Sequence, residues 1–184
     1  SAPEEYKAAS EAAKLADMPW CGTMSFDTAG RTMMGTTSAA MAAMVERLAN
    51  PPVAFGANCG VGASDLLRTV LGFAAAGTER PIIAKGNAGI PKYVDGHIHY
   101  DGTPELMADY VMLARASGAR IIGGCCGTTF EHLKAMREAL DTREVPARPT
   151  LDEIAEKLGG FSSAVDGTEE GSAPPERPRR RRRA

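Results

Sequence analysis

The chain has 184 residues, of which 43% are hydrophobic and 24% charged, and its formal net charge is −2. This composition is typical of a globular protein with a single core. No apolar run approaches the roughly 20 residues that span a bilayer, and the first residues lack the basic start and apolar block of a secretion signal. We therefore expect a cytoplasmic protein that does not bind a membrane.

Positive charge is concentrated at the end of the chain. Residues 176–184, ERPRRRRRA, hold six Arg and one Glu, whereas the rest of the chain holds 15 basic and 22 acidic side chains. The basic run follows a stretch rich in Gly, Ser and Pro, a composition that favours disorder. We predict a disordered Arg-rich tail over 161–184. Basic runs of this kind can bind nucleic acid, but we do not expect nucleic acid to be a partner.

In chain order, a helix is predicted at 3–17 and is followed by four units of the same kind. Each unit is a short apolar run bounded by Gly or Asn, then a loop, then residues with helical spacing. The apolar runs are predicted strands at 20–26, 52–59, 80–87 and 119–127. The helical segments lie at 38–49, 65–77, 103–118 and 128–141.

Side chains suited to an N-cap precede three of these helices, namely Ser64 and Asp65, then Thr103, then Thr128 and Thr129. The third unit has a longer loop over 88–102, which contains His97 and His99. Two histidines at this spacing could bind a metal, but we interpret them as solvated loop residues.

The repeated strand–loop–helix units predict an α/β fold in which parallel strands are joined by crossover helices. Two architectures satisfy this pattern, a doubly wound open sheet and a part of a (β/α) barrel. Both place their functional site at the C-terminal ends of the strands. The polar and sulfur-bearing residues at those ends are Asp27, Asn58, Cys59, Asn87, Cys125 and Cys126.

Three of the four cysteines follow strands whose ends converge in a curled parallel sheet. Cys59 ends the second predicted strand, and Cys125 and Cys126 end the fourth. Three thiolates at one point favour a zinc ion, and three protein ligands leave its fourth position open. A redox role for the adjacent pair would leave Cys59 unexplained. Cys21 lies early in the first strand, so we interpret it as a buried, inert small hydrophobe.

Four motifs resemble the homocysteine S-methyltransferase family. They are TMSFDTAGRTMMGTT at 23–37, GANC at 56–59, GNAGIP at 86–91 and GGCCGTT at 123–129. The resemblance covers roughly residues 5–142. The family includes betaine–homocysteine methyltransferase and the homocysteine-binding module of cobalamin-dependent methionine synthase.

The resemblance implies a TIM barrel, (β/α)8, of which this chain holds about four strand–helix units, the second half. That half-barrel would occupy 1–145, with a terminal helix at 146–160. The resemblance places zinc ligands at Cys59, Cys125 and Cys126. It also implies methyl transfer to the thiol of homocysteine, which forms methionine. Beside these ligands, Asp27 could pair with the ammonium group of the substrate, and Asn58 and Asn87 could either hydrogen-bond its amino acid end or orient a zinc ligand.

The resemblance leaves the methyl donor open between methylcobalamin on a separate module, betaine and S-methylmethionine. Four units leave two sheet edges open, so we expect an N-terminal half-barrel or a second copy as partner. One alternative is a related enzyme that methylates selenocysteine or another small thiol. Another is a non-catalytic zinc-binding remnant, or the partner subunit of a split methyltransferase.

Overall fold

The computed structural model describes residues 2–89 and 91–165. The described part contains six helices, α1 to α6, at Pro3–Leu15, Ser38–Glu46, Ala63–Ala75, Pro104–Ala116, Phe130–Thr142 and Leu151–Leu158. It contains six strands, β1 to β6, at Cys21–Met24, Ala54–Cys59, Ile82–Gly86, Pro91–Val94, His97–Tyr100 and Ala119–Gly124. No helix among these residues is both long and apolar enough to cross a membrane.

Four strands form one parallel sheet in the order β1-β2-β3-β6. Its register pairs Cys59 at the end of β2 with Gly86 at the end of β3, and Gly86 with Gly124 at the end of β6. Crossover segments that contain helices join these strands, as the repeated units predict. The α/β class and the four predicted strands are therefore confirmed.

The segment predicted as a loop at 88–102 instead contains an antiparallel hairpin, β4 and β5. Its turn is formed by Asp95 at φ 49° and Gly96 at φ 82°. Positive φ at both central residues is the geometry of a type I′ turn, and Asp-Gly is a preferred sequence for it. His97 and His99 are exposed, as predicted, but they lie on β5 rather than in a loop.

The core lies between the sheet and helices α3 and α4. The rings of Phe55 on β2 and Phe73 on α3 meet edge to face with centroids 5.2 Å apart. Phe26, which follows β1, contacts the Phe73 ring at 5.6 Å. On the opposite face of the same strands, Asn58 and Lys85 are only half-buried. One face of the sheet is therefore covered, and the other is partly open near the strand ends.

The N-caps differ from the prediction at one helix. Thr103 and Thr129 occupy the N-cap positions of α4 and α5, as predicted. The N-cap of α3 is Gly62 rather than Ser64 or Asp65. The Asp65 carboxylate is instead buried and accepts a hydrogen bond from Arg68 at 2.8 Å. Tertiary pairing has therefore overridden the local capping preference.

The predicted tail begins too early at residue 161. The Phe161 ring lies 4.6 Å from the guanidinium of Arg68, and Ser162 donates two hydrogen bonds to Asp65. Residues 161–163 therefore pack against α3, beyond the end of α6 at Leu158. The Arg-rich run lies outside the described residues, so its disorder stays a prediction.

Candidate metal centre

Three cysteine sulfurs form a cluster at the C-terminal ends of the strands. The Sγ atoms of Cys59, Cys125 and Cys126 all lie within 4.8 Å of one another. Cys126 Sγ is 3.6 Å from Cys59 Sγ and 4.0 Å from Cys125 Sγ. A tetrahedral zinc site with Zn–S bonds of about 2.3 Å separates its sulfurs by about 3.8 Å. The cluster therefore fits a zinc ion with one position left open.

A strained turn brings Cys59 into the cluster. Neighbouring strands lie about 4.8 Å apart, so β2 and β6 are separated by about 10 Å across β3. The backbone of Cys59 lies in the left-handed region at φ 58°, which a residue with a side chain seldom adopts. Backbone strain of this kind concentrates at functional sites, where the surrounding structure holds it in place. Here the strained backbone of Cys59 occurs where its sulfur reaches across the end of β3 towards the sulfurs of Cys125 and Cys126.

Asn87 connects the two cysteine-bearing segments. Its side chain is only 2% exposed. Its Nδ2 donates to the carbonyl of Gly60 at 3.0 Å, and its Oδ1 accepts from the backbone N–H of Cys126 at 3.1 Å. It also acts to lower the pKa of the Cys59 thiol, against the larger effect of burial. Both ends of the amide are therefore engaged with the protein, which favours the second of its two predicted roles, orientation of a zinc ligand, over contact with substrate.

The backbone of the adjacent cysteines is fixed to the end of β3. Cys125 N–H donates to the carbonyl of Gly86 at 2.7 Å, and Ala88 N–H donates to the carbonyl of Cys126 at 3.0 Å. Gly127 then turns the chain at φ 75°, a conformation that glycine adopts without a steric penalty. The adjacent pair is therefore held as a continuation of the sheet, with both sulfurs near the one from β2.

The three thiols influence one another electrostatically. Burial raises the pKa of the Cys59 thiol to about 11, and its hydrogen bond with Cys126 and the charge of Cys125 act in the same direction. The pKa of Cys126 is lowered by hydrogen bonds from Cys59 and then from Tyr100. Cys126 is therefore better suited than Cys59 to carry the negative charge when no cation is bound.

Tyr100 contacts the cluster but is absent from the predicted site. It ends β5, and its side chain interacts electrostatically with Cys126. The signal that could have located it is the Asp-Gly pair at 95–96 between alternating residues, since this predicts a hairpin that returns to the sheet end. Without the hairpin, the sequence places Tyr100 in a loop of undefined direction.

The other predicted residues are less engaged. Asn58 is half-buried and donates to Ser25 Oγ at 3.4 Å. Asp27 is exposed and accepts a hydrogen bond from the Thr28 hydroxyl at 3.3 Å. The prediction that Cys21 is buried is wrong, because it is exposed at the start of β1. The reason is that Cys21 pairs with Ala54 and so lies on the face of the sheet opposite Phe55 and the helices, whereas Met24 on the other face of β1 is buried.

Comparison with known proteins identifies relatives with the same arrangement of strands and helices. The metallated form of the homocysteine methyltransferase MmuM from Escherichia coli is 22% identical, with a TM-score of 0.57. The match covers 72% of this chain and 40% of that chain. Its apo form is 22% identical with a TM-score of 0.59, and the match covers 75% and 46%. This chain therefore spans less than half the length of these TIM-barrel enzymes, and the likeness establishes the fold alone.

A family model gives the assignment. The model described as homocysteine S-methyltransferase matches residues 1–140, which include all four parallel strands and all three clustered cysteines. Since the match extends over most of the sequence, this chain belongs to the homocysteine S-methyltransferase family.

Proposed function

We propose that this chain provides the zinc-binding, homocysteine-activating part of a homocysteine S-methyltransferase. The observation that supports this best is the cluster of Cys59, Cys125 and Cys126, whose sulfurs lie within 4.8 Å of one another. The product would be methionine, so the protein would act in methionine biosynthesis, and we expect it in the cytoplasm. The methyl donor would be methylcobalamin, betaine or S-methylmethionine.

Cys59, Cys125 and Cys126 would hold the ion through three thiolates and leave one position for the sulfur of homocysteine. Bound zinc would supply Lewis acidity, which favours the thiolate form of that sulfur at neutral pH. The protein itself holds the three cysteine ligands in a fixed arrangement. Asn87 holds the segments after β2 and β6 together through hydrogen bonds of 3.0 and 3.1 Å, and positioning of this kind speeds transfer between two reactants.

We assign recognition of the amino acid end of homocysteine to Asp27 and Asn58. Asp27 directly follows Phe26, and a Cβ added to Gly60 would lie 3.5 Å from the Phe26 carbonyl oxygen. The segment after β1 therefore runs beside the residue that follows Cys59. The Asp27 carboxylate is exposed and would pair with the ammonium group of the substrate. Asn58 would donate a hydrogen bond from the face of the sheet that is partly open.

A complete pocket would require further strand–helix units. The matched structures are more than twice as long as the matched part of this chain. Each edge strand of the described sheet, β1 and β6, pairs with one strand only, and Ile121 on β6 is 46% exposed. We propose that an N-terminal half-barrel completes the fold. The open edges also favour a second candidate, a non-catalytic zinc-binding subunit that gains activity only in such an assembly.

Metal analysis of the purified chain tests the zinc centre. We expect about one zinc per chain, lost in Cys59→Ser and retained in the control Cys21→Ser, which changes an exposed cysteine outside the cluster. If Cys59→Ser keeps its zinc, the three-thiolate centre is wrong. Reversible oxidation of the Cys125–Cys126 pair that persists in Cys59→Ser, without bound metal, would favour the redox alternative.

A cobalt-substituted sample tests for homocysteine. Addition of homocysteine should increase the thiolate-to-cobalt charge-transfer absorption, because a fourth sulfur enters the open position. Homoserine, which carries a hydroxyl in place of the thiol, is the matched control and should leave the absorption unchanged. An identical response to both compounds would contradict binding through sulfur. Methyl transfer that appears only after an N-terminal half-barrel is added would identify this chain as a subunit.

A further inference from the structure

The hairpin formed by β4 and β5 is fixed to the cysteine cluster at its base. The N–H of Gly102, just after β5, donates to the carbonyl of Ala88 at 2.9 Å. The N–H of Ala88 donates in turn to the carbonyl of Cys126 at 3.0 Å. Lys92 on β4 also pairs with Asp101 at the end of the hairpin. The position of β5 is therefore set by the segment that carries the cysteine pair.

A second contact holds the base of the hairpin from the side of α5. The His132 ring is 9% exposed. Its Nε2 hydrogen-bonds the carbonyl of Gly102 at 2.8 Å, and its Nδ1 accepts from Thr129 N–H at 3.0 Å. Helix α5 directly follows the cysteine segment. The residue after the end of the hairpin, Gly102, is therefore held both by Ala88, which also bonds Cys126, and by His132 on α5.

Tyr100, the last residue of β5, lies directly on the cysteine segment. A Cβ added to Gly127 would lie 2.3 Å from Cγ and 2.5 Å from Cβ of Tyr100. This distance leaves no room for a side chain at residue 127, and its φ of 75° also favours glycine. Tyr100 therefore packs against the backbone one residue after Cys126, and its side chain interacts electrostatically with Cys126.

We propose that Tyr100 is a positioning residue of the metal centre, whose hydroxyl donates a hydrogen bond to the sulfur of Cys126. This inference rests on the proposed function, because it concerns the thiolate that would hold the ion. A hydrogen bond to an ionised sulfur is charge-assisted and directional. It lowers the electron density on that sulfur, fixes its orientation, and makes Cys126 a weaker nucleophile. The hydrogen bond thus favours methylation of the substrate sulfur over methylation of the ligand.

Two polar side chains, Asn87 and Tyr100, act on different cysteines of the cluster. Asn87, at the end of β3, acts on the Cys59 thiol, and Tyr100 would act on Cys126 from the hairpin. Partners that orient metal ligands commonly tune a site without touching the ion. Tyr100 would act on the properties of the bound metal rather than on the number of ions bound.

Cobalt substitution of Tyr100→Phe tests this role without an activity measurement. The phenyl ring keeps the packing on Gly127 and removes only the hydroxyl. We expect one cobalt per chain and a shift of the thiolate-to-cobalt charge-transfer band to longer wavelength, because a sulfur without the hydrogen bond gives up its electron more easily. Tyr93→Phe is the matched control. It makes the same change on β4, where the ring is 77% exposed, and should leave the band unchanged.

The outcomes separate this inference from the proposed function. A wild-type protein without a thiolate-to-cobalt band would overturn the metal centre and, with it, the role of Tyr100. A wild-type band that is unchanged in Tyr100→Phe would overturn the role of Tyr100 alone. Loss of folding in Tyr100→Phe, with Tyr93→Phe intact, would mean that the hydroxyl supports the hairpin rather than the sulfur, and would also overturn the inference.

Discussion

Replacement of Asn87 by alanine should affect both the stability of the fold and the affinity for zinc. The side chain is 2% exposed, and its amide hydrogen-bonds Gly60 at 3.0 Å and Cys126 at 3.1 Å. Asn87→Ala removes both hydrogen bonds and leaves a carbonyl and an N–H without their partners. The segments after β2 and β6 would then lose the side chain that is hydrogen-bonded to both of them.

The magnitude follows from the two hydrogen bonds. Each contributes about 1 kcal/mol net, and a partner left unsatisfied costs more where water cannot reach it. Cys126 and Gly60 are both partly accessible, so water can replace part of the loss. We expect the free energy of unfolding to fall by about 2–3 kcal/mol, which lowers the melting temperature by about 5–10 °C for a chain of this size. Zinc affinity should fall about 10- to 100-fold, the usual cost of losing a residue that orients metal ligands.

Urea unfolding of the metal-free protein measures the free energy of unfolding, and competition with a chromogenic chelator measures the zinc affinity. Asn58→Ala is the matched control, because it removes an asparagine from the end of β2 whose hydrogen bond to Ser25 is long at 3.4 Å. We expect Asn58→Ala to lower the stability by less than about 1 kcal/mol. If Asn87→Ala unfolds with the wild-type midpoint and keeps wild-type zinc affinity, Asn87 does not hold the two segments together.

Three further predictions concern the surrounding structure. Tyr110→Phe removes a fully buried hydroxyl that accepts from Gly86 N–H at 3.0 Å, and urea unfolding should show a loss of about 1–3 kcal/mol. Asp65→Ala leaves Arg68 buried without its carboxylate, so we expect a loss of about 3–5 kcal/mol by the same measurement. Hydrogen bonds from the Thr150 backbone and side chain lower the pKa of Glu153 below its usual 4.5. The capping contribution is therefore present above that pH and lost as the pH falls through the lowered pKa, which hydrogen exchange in α6 should detect.

The controls for Tyr110→Phe and Asp65→Ala are the same substitutions at exposed residues. Tyr93→Phe changes a tyrosine that is 77% exposed and should leave the stability within about 0.5 kcal/mol of wild type. Asp141→Ala breaks an exposed pair with Arg137 and should cost about 0.5 kcal/mol or less. Equal losses for Asp65→Ala and Asp141→Ala would refute the importance of burial. A pH response of α6 that survives in Glu153→Gln would refute the capping argument.

Local pattern alone located the four parallel strands and the helices that follow them. Apolar runs such as PIIA at 81–84 carry the signal, because strands buried in a parallel sheet need hydrophobic residues on both faces. The clustering of the cysteines at the strand ends could also be predicted from the sequence, since parallel strands bring their C-terminal ends to the same edge. The sequence therefore indicated both the α/β class and the position of the candidate site.

Tertiary structure decided what depends on contacts between distant residues. Asp65 looks like a helix cap in sequence, but residues 161–163 and Arg68 bury it as an ion pair. Cys21 looks like a core residue, but it lies on the face of the sheet opposite the helices, where it is exposed. The burial of a side chain depends on how the whole sheet packs, so the residues next to it in the sequence do not determine it.

The same distinction applies within the site. The sequence by itself determined which residue types could hold a soft metal ion, because thiolate chemistry belongs to the side chain. Only the tertiary structure placed Asn87 between Gly60 and Cys126, and Tyr100 against Gly127. Hydrogen bonds are directional and act over about 3 Å, so which residue orients a ligand depends on the packed backbone rather than on spacing along the chain.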